Sequence, residues 1–187
     1  MNRDKLVTWF LKEFNEHYVS MINSNHAVDS TQPNPFHGEG TVWTHTMMVM
    51  TYIETKNEFN SYINYDTYLT LLTSALLHDI GKPACEELKE ATDNKPLRNS
   101  FNGHEGVSIM YSIKVLKLLA RDFPELYTDK IVEDIIKVVG THGVSIQHKA
   151  NCYFRMLREE FRIADKKGAI RAVDEGIFSQ YSDRKFA

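Results

Sequence analysis

Four of the eight histidines in the chain stand beside glycine or small residues, at the ends of segments or within otherwise apolar ones. They are His45, His78, His104 and His142. Two carboxylates accompany them: Asp79 directly follows His78, and Asp165 lies in the last stretch with helical spacing. Imidazoles and carboxylates that converge from facing helices form metal sites in helical bundles, and they suit iron, manganese, zinc, cobalt or nickel. These residues therefore predict a metal site that does chemistry.

The dipeptide formed by His78 and Asp79 is the most informative pair, because adjacent residues on a helix point about 100° apart and can reach one ion, or two, from one backbone. Its alternative interpretation is a helix C-terminus, where the macrodipole favours a histidine. The surrounding phrase Leu-Leu-His-Asp-Ile-Gly-Lys-Pro and the other histidine phrases favour the metal interpretation. Cys85 and Cys152 form no CxxC pair, which argues against a structural zinc site and a disulfide framework.

Three phrases, in this order, resemble the HD superfamily of metal-dependent phosphohydrolases. They are His37-Gly-Glu-Gly-Thr-Val-Trp-Thr-His45-Thr, Ala75-Leu-Leu-His78-Asp79-Ile-Gly-Lys82-Pro and Phe101-Asn-Gly-His104-Glu-Gly-Val-Ser108. Within the superfamily they look most like the HD domain of bacterial tRNA nucleotidyltransferases, the CCA-adding enzymes, over about residues 36–165. Too few residues precede His37 for a nucleotidyltransferase domain, and no paired-carboxylate strand motif occurs there, so CCA addition is not expected.

The resemblance implies a ligand set. Its first-site ligands map onto His45, His78, Asp79 and Asp165. His104 and His142 match the second-site histidines of those members that hold two metals, with Asp79 then bridging the pair. The cofactor is one or two divalent ions, whether iron, manganese, nickel, cobalt, magnesium or zinc. Alternatives stay open at three positions: His104 contacts substrate or backbone instead, His148 replaces His142, or Asp165 is a surface acid paired with a neighbouring lysine or arginine.

Several basic residues are candidates for binding the phosphate of a substrate. Lys82 follows the His-Asp pair by about one helical turn and is expected to neutralise a phosphate, its alternative being an ordinary lysine at a helix C-terminus. With Asp79 it forms the predicted catalytic pair. Arg158 and Arg162 share a helical side with Asp165; alternatively they pair with Glu159 or Glu160 at the surface. His37 and Glu39 are expected to touch substrate or to donate a proton to the leaving group; alternatively, they hold their loop together by hydrogen bonds.

The resemblance implies hydrolysis of a phosphate ester by metal-activated water, on a nucleotide or on an RNA 2′, 3′ or 2′,3′-cyclic phosphate. The second hypothesis is a mixed-valent di-iron oxygenase, because some members of the superfamily carry that chemistry on the same ligand types. The third is a catalytically inactive module that binds a nucleotide. The expected partner is therefore a small phosphate ester, a nucleotide or an RNA end; the oligomeric state is left open.

The elements that must position these residues are almost all helices. Apolar spacing predicts helices over about residues 3–22, 42–55, 67–79 with Asp66 as N-cap, 103–121, 129–140 with Thr128 as N-cap, and 151–175. Residues 24–40 read as a long loop, and residues 84–101 as a small irregular hairpin turning at Asp93-Asn94. We expect an all-α bundle of the HD type in one domain over 1–187, with a core at about 36–175 and the N-terminal helix packed on it.

Composition excludes several classes of protein. With 42% hydrophobic residues, 25% charged residues and a net charge of −3, the chain is neither disordered nor basic enough for a large nonspecific nucleic-acid footprint. The N-terminus is charged and amphipathic rather than apolar, and nowhere do eighteen apolar residues run together. We therefore expect a cytoplasmic protein with free thiols that enters no membrane.

Overall fold

The structure is a computed structural model, and it describes residues 1–26, 38–58, 64–90, 98–143 and 151–169. These ranges contain seven α-helices, one 3₁₀-helix and one two-stranded sheet. In chain order they are α1 (Arg3–Glu13), α2 (Asn15–Asn23), α3 (Val42–Glu58), α4 (Tyr65–Leu77), the 3₁₀-helix (Lys82–Cys85), β1 (Glu87–Lys89), β2 (Arg98–Ser100), α5 (His104–Asp122), α6 (Asp129–Thr141) and α7 (Cys152–Gly168). The predicted all-α bundle with a small hairpin is confirmed.

Helix α4 is the centre of the bundle, and every residue from Thr67 to Leu77 is buried. A helix that is mostly apolar on all sides needs neighbours on all sides. Helices α3, α6 and α7 supply them, while α3 also packs along α7 and α5 packs along α6. The end of α4 therefore lies deep in the molecule, surrounded by other helices.

The helix predicted over residues 3–22 is two helices that meet at Phe14. The backbone of Phe14 leaves the helical region, with φ −133° and ψ 41°, and its ring stacks on Phe10 at a centroid distance of 5.7 Å. The prediction of one helix was wrong because apolar spacing continues across the break, so periodicity does not reveal it. Helix α1 buries Leu6, Trp9 and Phe10.

Two further helix boundaries differ from their predictions. Asn64, rather than Asp66, caps α4, because its side chain accepts a hydrogen bond from the Thr67 N–H at 2.8 Å. Helix α7 ends at Gly168 rather than near residue 175, since Ala169 has extended backbone angles. Thr128 caps α6 as predicted.

The hairpin between the 3₁₀-helix and α5 is antiparallel, with Glu87 opposite Ser100 and Lys89 opposite Arg98. Its predicted turn at Asp93-Asn94 lies outside the described residues. Asn99 on β2 donates hydrogen bonds to the Asn25 carbonyl and to Glu86 Oε1, each at 2.7 Å. The hairpin is thereby attached to the segment that follows α2. Across the described ranges, no helix has the length and apolar character that would let it cross a membrane.

Candidate metal centre

Five parts of the fold bring the six predicted ligands to one place beside the end of α4. His45 lies in the first turn of α3, and His78 and Asp79 form the turn directly after α4. His104 is the first residue of α5 and His142 directly follows α6, so both stand at helix ends. Asp165 projects from α7. Spacing alone did not reveal that all these ends converge.

Gly81 allows α5 to start beside Asp79. A Cβ atom at this position would lie 2.5 Å from the Ser108 nitrogen and 2.7 Å from the His104 carbonyl oxygen, which are both backbone atoms of α5. The Gly81 N–H donates a hydrogen bond to Ser108 Oγ at 3.0 Å. The glycine after the His-Asp pair therefore brings His104 within reach of Asp79.

Three of the four imidazoles are oriented by the backbone that precedes them. The Nδ1 atoms of His78, His104 and His142 lie 2.8, 2.8 and 2.7 Å from the carbonyl oxygens of the residues three positions earlier. A carbonyl only accepts, so each Nδ1 carries a proton, and each Nε2 presents a lone pair when its ring is neutral. All three lone pairs point into the centre.

Glu39 orients the fourth imidazole. Its Oε1 lies 2.8 Å from His45 Nδ1, and both side chains are fully buried. A carboxylate in this position fixes the ring and raises the basicity of the other nitrogen, as the outer partners of metal-binding histidines do. The sequence did not predict this contact with a residue of α3, and a role of Glu39 at the substrate stays a prediction.

The first group of ligand atoms surrounds the space between α3, α4 and α7. His45 Nε2 lies 3.3 Å from His78 Nε2 and 3.0 Å from Asp165 Oδ1. Asp79 Oδ2 lies 3.2 Å from His78 Nε2 and 3.8 Å from His45 Nε2. Two nitrogens and two carboxylate oxygens thus converge on one small volume.

The second group uses the other oxygen of the same aspartate. Asp79 Oδ1 lies 3.2 Å from His104 Nε2 and 3.7 Å from His142 Nε2, while the two imidazole nitrogens are 3.1 Å apart. His45, His78 and Asp79 form one set of atoms close enough to share an ion, and Asp79, His104 and His142 form another. Asp79 therefore faces both groups.

The donor set fits divalent metal ions. With Nδ1 protonated on His104 and His142, neither neutral ring has a proton to place between Nε2 atoms that lie 3.1 Å apart. His45 Nε2 and His78 Nε2 likewise face each other, at 3.3 Å. Two lone pairs that face each other repel, whereas a cation between them is attracted to both. Nitrogen and carboxylate ligands without thiolates suit iron, manganese, cobalt, nickel or zinc.

The electrostatics of the centre also favour cations. Burial opposes the charged forms of His45, His78, Asp79 and Asp165, but the opposite charges around these four side chains outweigh it. The pKa of His78 is raised to about 10 because the Asp79 and Asp165 carboxylates stabilise its charged form more than burial destabilises it. The pKa of His45 is raised as well, against burial, by Asp165 and Glu39. Histidines and Lys82 hold the pKa of Asp79 well below its usual range despite its burial, and His45 and His78 do the same for Asp165.

The ligands of the centre differ in their exposure to solvent. The side chains of His45, His78 and Asp79 are at most 2% exposed, whereas those of His104 and Asp165 are 14% and 29% exposed. Of these five side chains, solvent therefore reaches His104 and Asp165 most.

Lys82 lies inside the centre, not at an exposed helix end. The residue is 6% exposed, and its Nζ lies 2.7 Å from Asp79 Oδ2 and 3.0 Å from His26 Nε2. Sequence reasoning missed His26, which lies in the stretch predicted to be a long loop and is fully buried. No motif contains it, and only the position of the chain after α2 places it here.

The remaining candidates for phosphate binding either make other contacts or lie outside the described residues. Arg158 is buried and its Nε donates a hydrogen bond to the Thr141 carbonyl at 2.8 Å, at the C-terminus of α6. Arg162 forms an ion pair with Glu159 at 2.6 Å, as the alternative to phosphate binding predicts. His37 and His148 lie outside the described residues. The roles of Arg158, Arg162 and His37 in substrate binding stay predictions.

Comparison with known proteins identifies the family. The HD domain matches residues 42–175, which is most of the chain and contains all six predicted ligands. The chain therefore belongs to the HD domain family, a superfamily of metal-dependent phosphohydrolases. No curated protein and no solved structure matches it.

Proposed function

We propose that this protein hydrolyses a phosphate ester with two divalent ions, the first held by His45, His78, Asp79 and Asp165 and the second by Asp79, His104 and His142. The observation that carries the proposal is the position of Asp79, whose two oxygens face two separate groups of imidazole nitrogens. Ions bridged in this way lower the pKa of bound water towards about 7 and polarise a phosphoryl oxygen.

The residues of the chain have distinct tasks in this proposal. Asp79 would contribute one carboxylate oxygen to each of the two groups of ligands. The imidazoles are oriented before any ion binds, because backbone carbonyls and Glu39 fix their Nδ1 atoms. Lys82 places a positive charge at the centre, where it would neutralise an oxygen of the phosphate. Preorganised charge of this kind is commonly a large part of catalysis.

The proposed substrate is a nucleotide or an RNA end with a 2′, 3′ or 2′,3′-cyclic phosphate. Support for this class comes from the resemblance of the three histidine phrases to the HD domain of CCA-adding enzymes. The partial exposure of His104 and Asp165 supports a phosphate that reaches these residues from solvent. We also propose that the protein acts in the cytoplasm.

The first test is elemental analysis of protein purified without chelators. We expect about two ions of iron, manganese or a similar metal per chain. About one ion would reassign His104 and His142 to substrate contact, and no ion after reloading would favour a binding module over an enzyme.

The second test is hydrolysis with manganese, nickel or cobalt, under argon as well as in air. It is followed as ring opening of 2′,3′-cyclic AMP to 2′-AMP or 3′-AMP, and as phosphate release from 2′-AMP, 3′-AMP, 5′-AMP and an aryl phosphate. Hydrolysis under argon supports the proposal. Turnover that needs both iron and dioxygen would instead identify an oxygenase. The variant Asp79→Asn serves as the negative control.

A further inference from the structure

Lys82 has a second neighbour besides Asp79, and this neighbour comes from outside the region that matches the family. His26 Nε2 lies 3.0 Å from Lys82 Nζ, and the imidazole is fully buried. The ring of Phe101 lies beside both: Lys82 Nζ is 5.4 Å from its centroid, and the His26 ring meets it edge-on at 5.4 Å. The ammonium group is therefore enclosed by an imidazole, a carboxylate and an aromatic ring.

The hydrogen bonds of His26 define its tautomer. Its Nδ1 lies 3.2 Å from the Gly40 carbonyl oxygen, which only accepts, so Nδ1 carries the proton. Nε2 then has a lone pair and accepts from the Lys82 ammonium, which only donates. One neutral tautomer satisfies both contacts, and they use opposite ends of the ring.

The backbone around His26 is firmly attached to the rest of the fold. The His26 N–H donates to the Gly40 carbonyl at 2.9 Å, and the Val42 N–H donates to the Ser24 carbonyl at 3.0 Å. Asn25 pairs with Thr41 in an antiparallel bridge, immediately before α3 begins. Because α3 carries His45, the backbone segment that holds His26 in place leads directly into the helix of a predicted ligand.

We propose that His26 is a positioning residue that holds the Lys82 ammonium beside Asp79 so that one of its N–H groups points at a phosphate oxygen. The inference rests on the proposed phosphohydrolase function and deepens it. An ammonium has three N–H donors, and the contacts with Asp79 and His26 use two. The third remains for the ligand. A lysine side chain has many rotamers, so a fixed acceptor removes freedom that phosphate binding would otherwise have to remove.

The experiment compares two substitutions that each keep one of the two hydrogen bonds. His26→Asn keeps an amide near Nδ1, where it still bonds Gly40, but it does not reach Lys82. His26→Gln places its amide oxygen near Nε2, where it still accepts from Lys82, but it loses Gly40. Lys82→Met and the double variant His26→Asn/Lys82→Met complete the set. Circular dichroism and metal content check that each variant folds and holds its ions.

The first readout is the Kd of inorganic phosphate for the manganese-loaded protein, measured by calorimetry. We expect His26→Asn to weaken binding by roughly three- to tenfold, which corresponds to one hydrogen bond, and His26→Gln to stay near the wild type. Lys82→Met should weaken it further, and the double variant should be no weaker than Lys82→Met. Normal binding by His26→Asn, or weak binding by His26→Gln alone, would overturn the proposal, because His26 would then only anchor Gly40.

The second readout needs neither metal nor substrate. Acetic anhydride should modify Lys82 slowly in the metal-free wild type and in His26→Gln, but several times faster in His26→Asn, as followed by mass spectrometry. Lys12, whose side chain is 79% exposed, is the internal reference. If no ester is hydrolysed, the proposed function fails while this readout still tests the positioning of Lys82. If esters are hydrolysed but Lys82 reacts equally in all variants, the positioning role alone fails.

Discussion

At the scale of single residues, Asp79 has a place that no other predicted ligand shares. Its Oδ2 faces His78 at 3.2 Å and its Oδ1 faces His104 at 3.2 Å. Asp165 and His142 each belong to one group only. Loss of the Asp79 charge should therefore disturb both groups at once, whereas loss of any other ligand should disturb one.

We predict that Asp79→Asn lowers the metal content from about two ions per chain to near none, while His142→Ala leaves about one. The amide has one carbonyl oxygen and no charge, so it does not bridge two cations. Elemental analysis after dialysis measures the ratio. The control is Asp134→Asn, which changes another buried aspartate that is paired with Lys130 on α6. Equal metal loss in Asp79→Asn and His142→Ala would contradict the bridging role.

Glu39→Gln tests the outer partner of His45. The substitution keeps the shape of the side chain but removes the charge that lies 2.8 Å from His45 Nδ1. Outer partners of metal-binding histidines typically contribute about 10- to 100-fold in metal affinity, so we expect a loss of that order at the first group. Competition with a chelating dye measures it. The control is Glu54→Gln. Glu54 lies on α3, as His45 does, but its carboxylate pairs with Arg3 of α1, so this variant should leave the metal affinity unchanged.

The resemblance of the three histidine phrases to the HD family was enough to predict which six side chains converge, because the family's ligand pattern maps onto them one by one. The partners of these residues were not predictable in the same way. His26 reaches Lys82 only because Asn25 pairs with Thr41, and Glu39 reaches His45 only because the same bridge returns the chain to α3. Such contacts depend on tertiary pairing across many residues, and no local pattern records them.

At the scale of elements, the ends of helices position most of the predicted ligands. Four of the predicted ligands lie at or beside helix termini, where the backbone leaves room for a side chain to turn inward. Apolar spacing located these helices, but it missed the break at Phe14 and the cap at Asn64. A one-residue break leaves the period unchanged, and Asn64 and Asp66, which lie two positions apart, are N-cap residues of nearly equal preference.

The approach of α5 to the His-Asp turn provides a test at this scale. In Gly81→Ala the new methyl group would meet backbone atoms of α5 at 2.5 and 2.7 Å, so the helix must shift. We expect a loss of about 1–3 kcal/mol in the free energy of unfolding, as for other overpacked sites. Because His104 starts α5, metal affinity should fall more at the second group than at the first. Denaturant unfolding and metal titration measure the two effects.

Gly106→Ala is the matched control, because it lies in the same helix and nothing lies within 4 Å of its new Cβ. Alanine is a better helix former than glycine, so we expect this variant to gain roughly 0.5–1 kcal/mol. Its metal content should stay that of the wild type. If Gly81→Ala were as stable as Gly106→Ala, the close packing of α5 on the turn would not be what places His104.

At the scale of the whole molecule, the N-terminal helices are connected to the helices that carry the centre. Trp9 Nε1 donates a hydrogen bond to Asp122 Oδ2 at 2.9 Å, which joins α1 to the end of α5. The Arg3 N–H donates to Glu54 Oε1 at 3.0 Å, which joins α1 to α3. One hydrophobic core runs from Leu6 in α1 to Ala164 in α7. These contacts support the proposal, already predicted from the sequence, that residues 1–187 fold as one domain with the N-terminal helices packed on its core.

A single domain with its metal centre between five elements should unfold once, and the metal should raise the temperature at which it does. Ions that bind only the folded state at a hundredfold excess over Kd add about 2.7 kcal/mol. For a chain of this size that corresponds to a rise in Tm of roughly 5–10 °C. Scanning calorimetry with chelator and with manganese measures the shift, which should vanish in Asp79→Asn. Two separate transitions, with only one of them sensitive to manganese, would show that the N-terminal helices unfold independently of the centre.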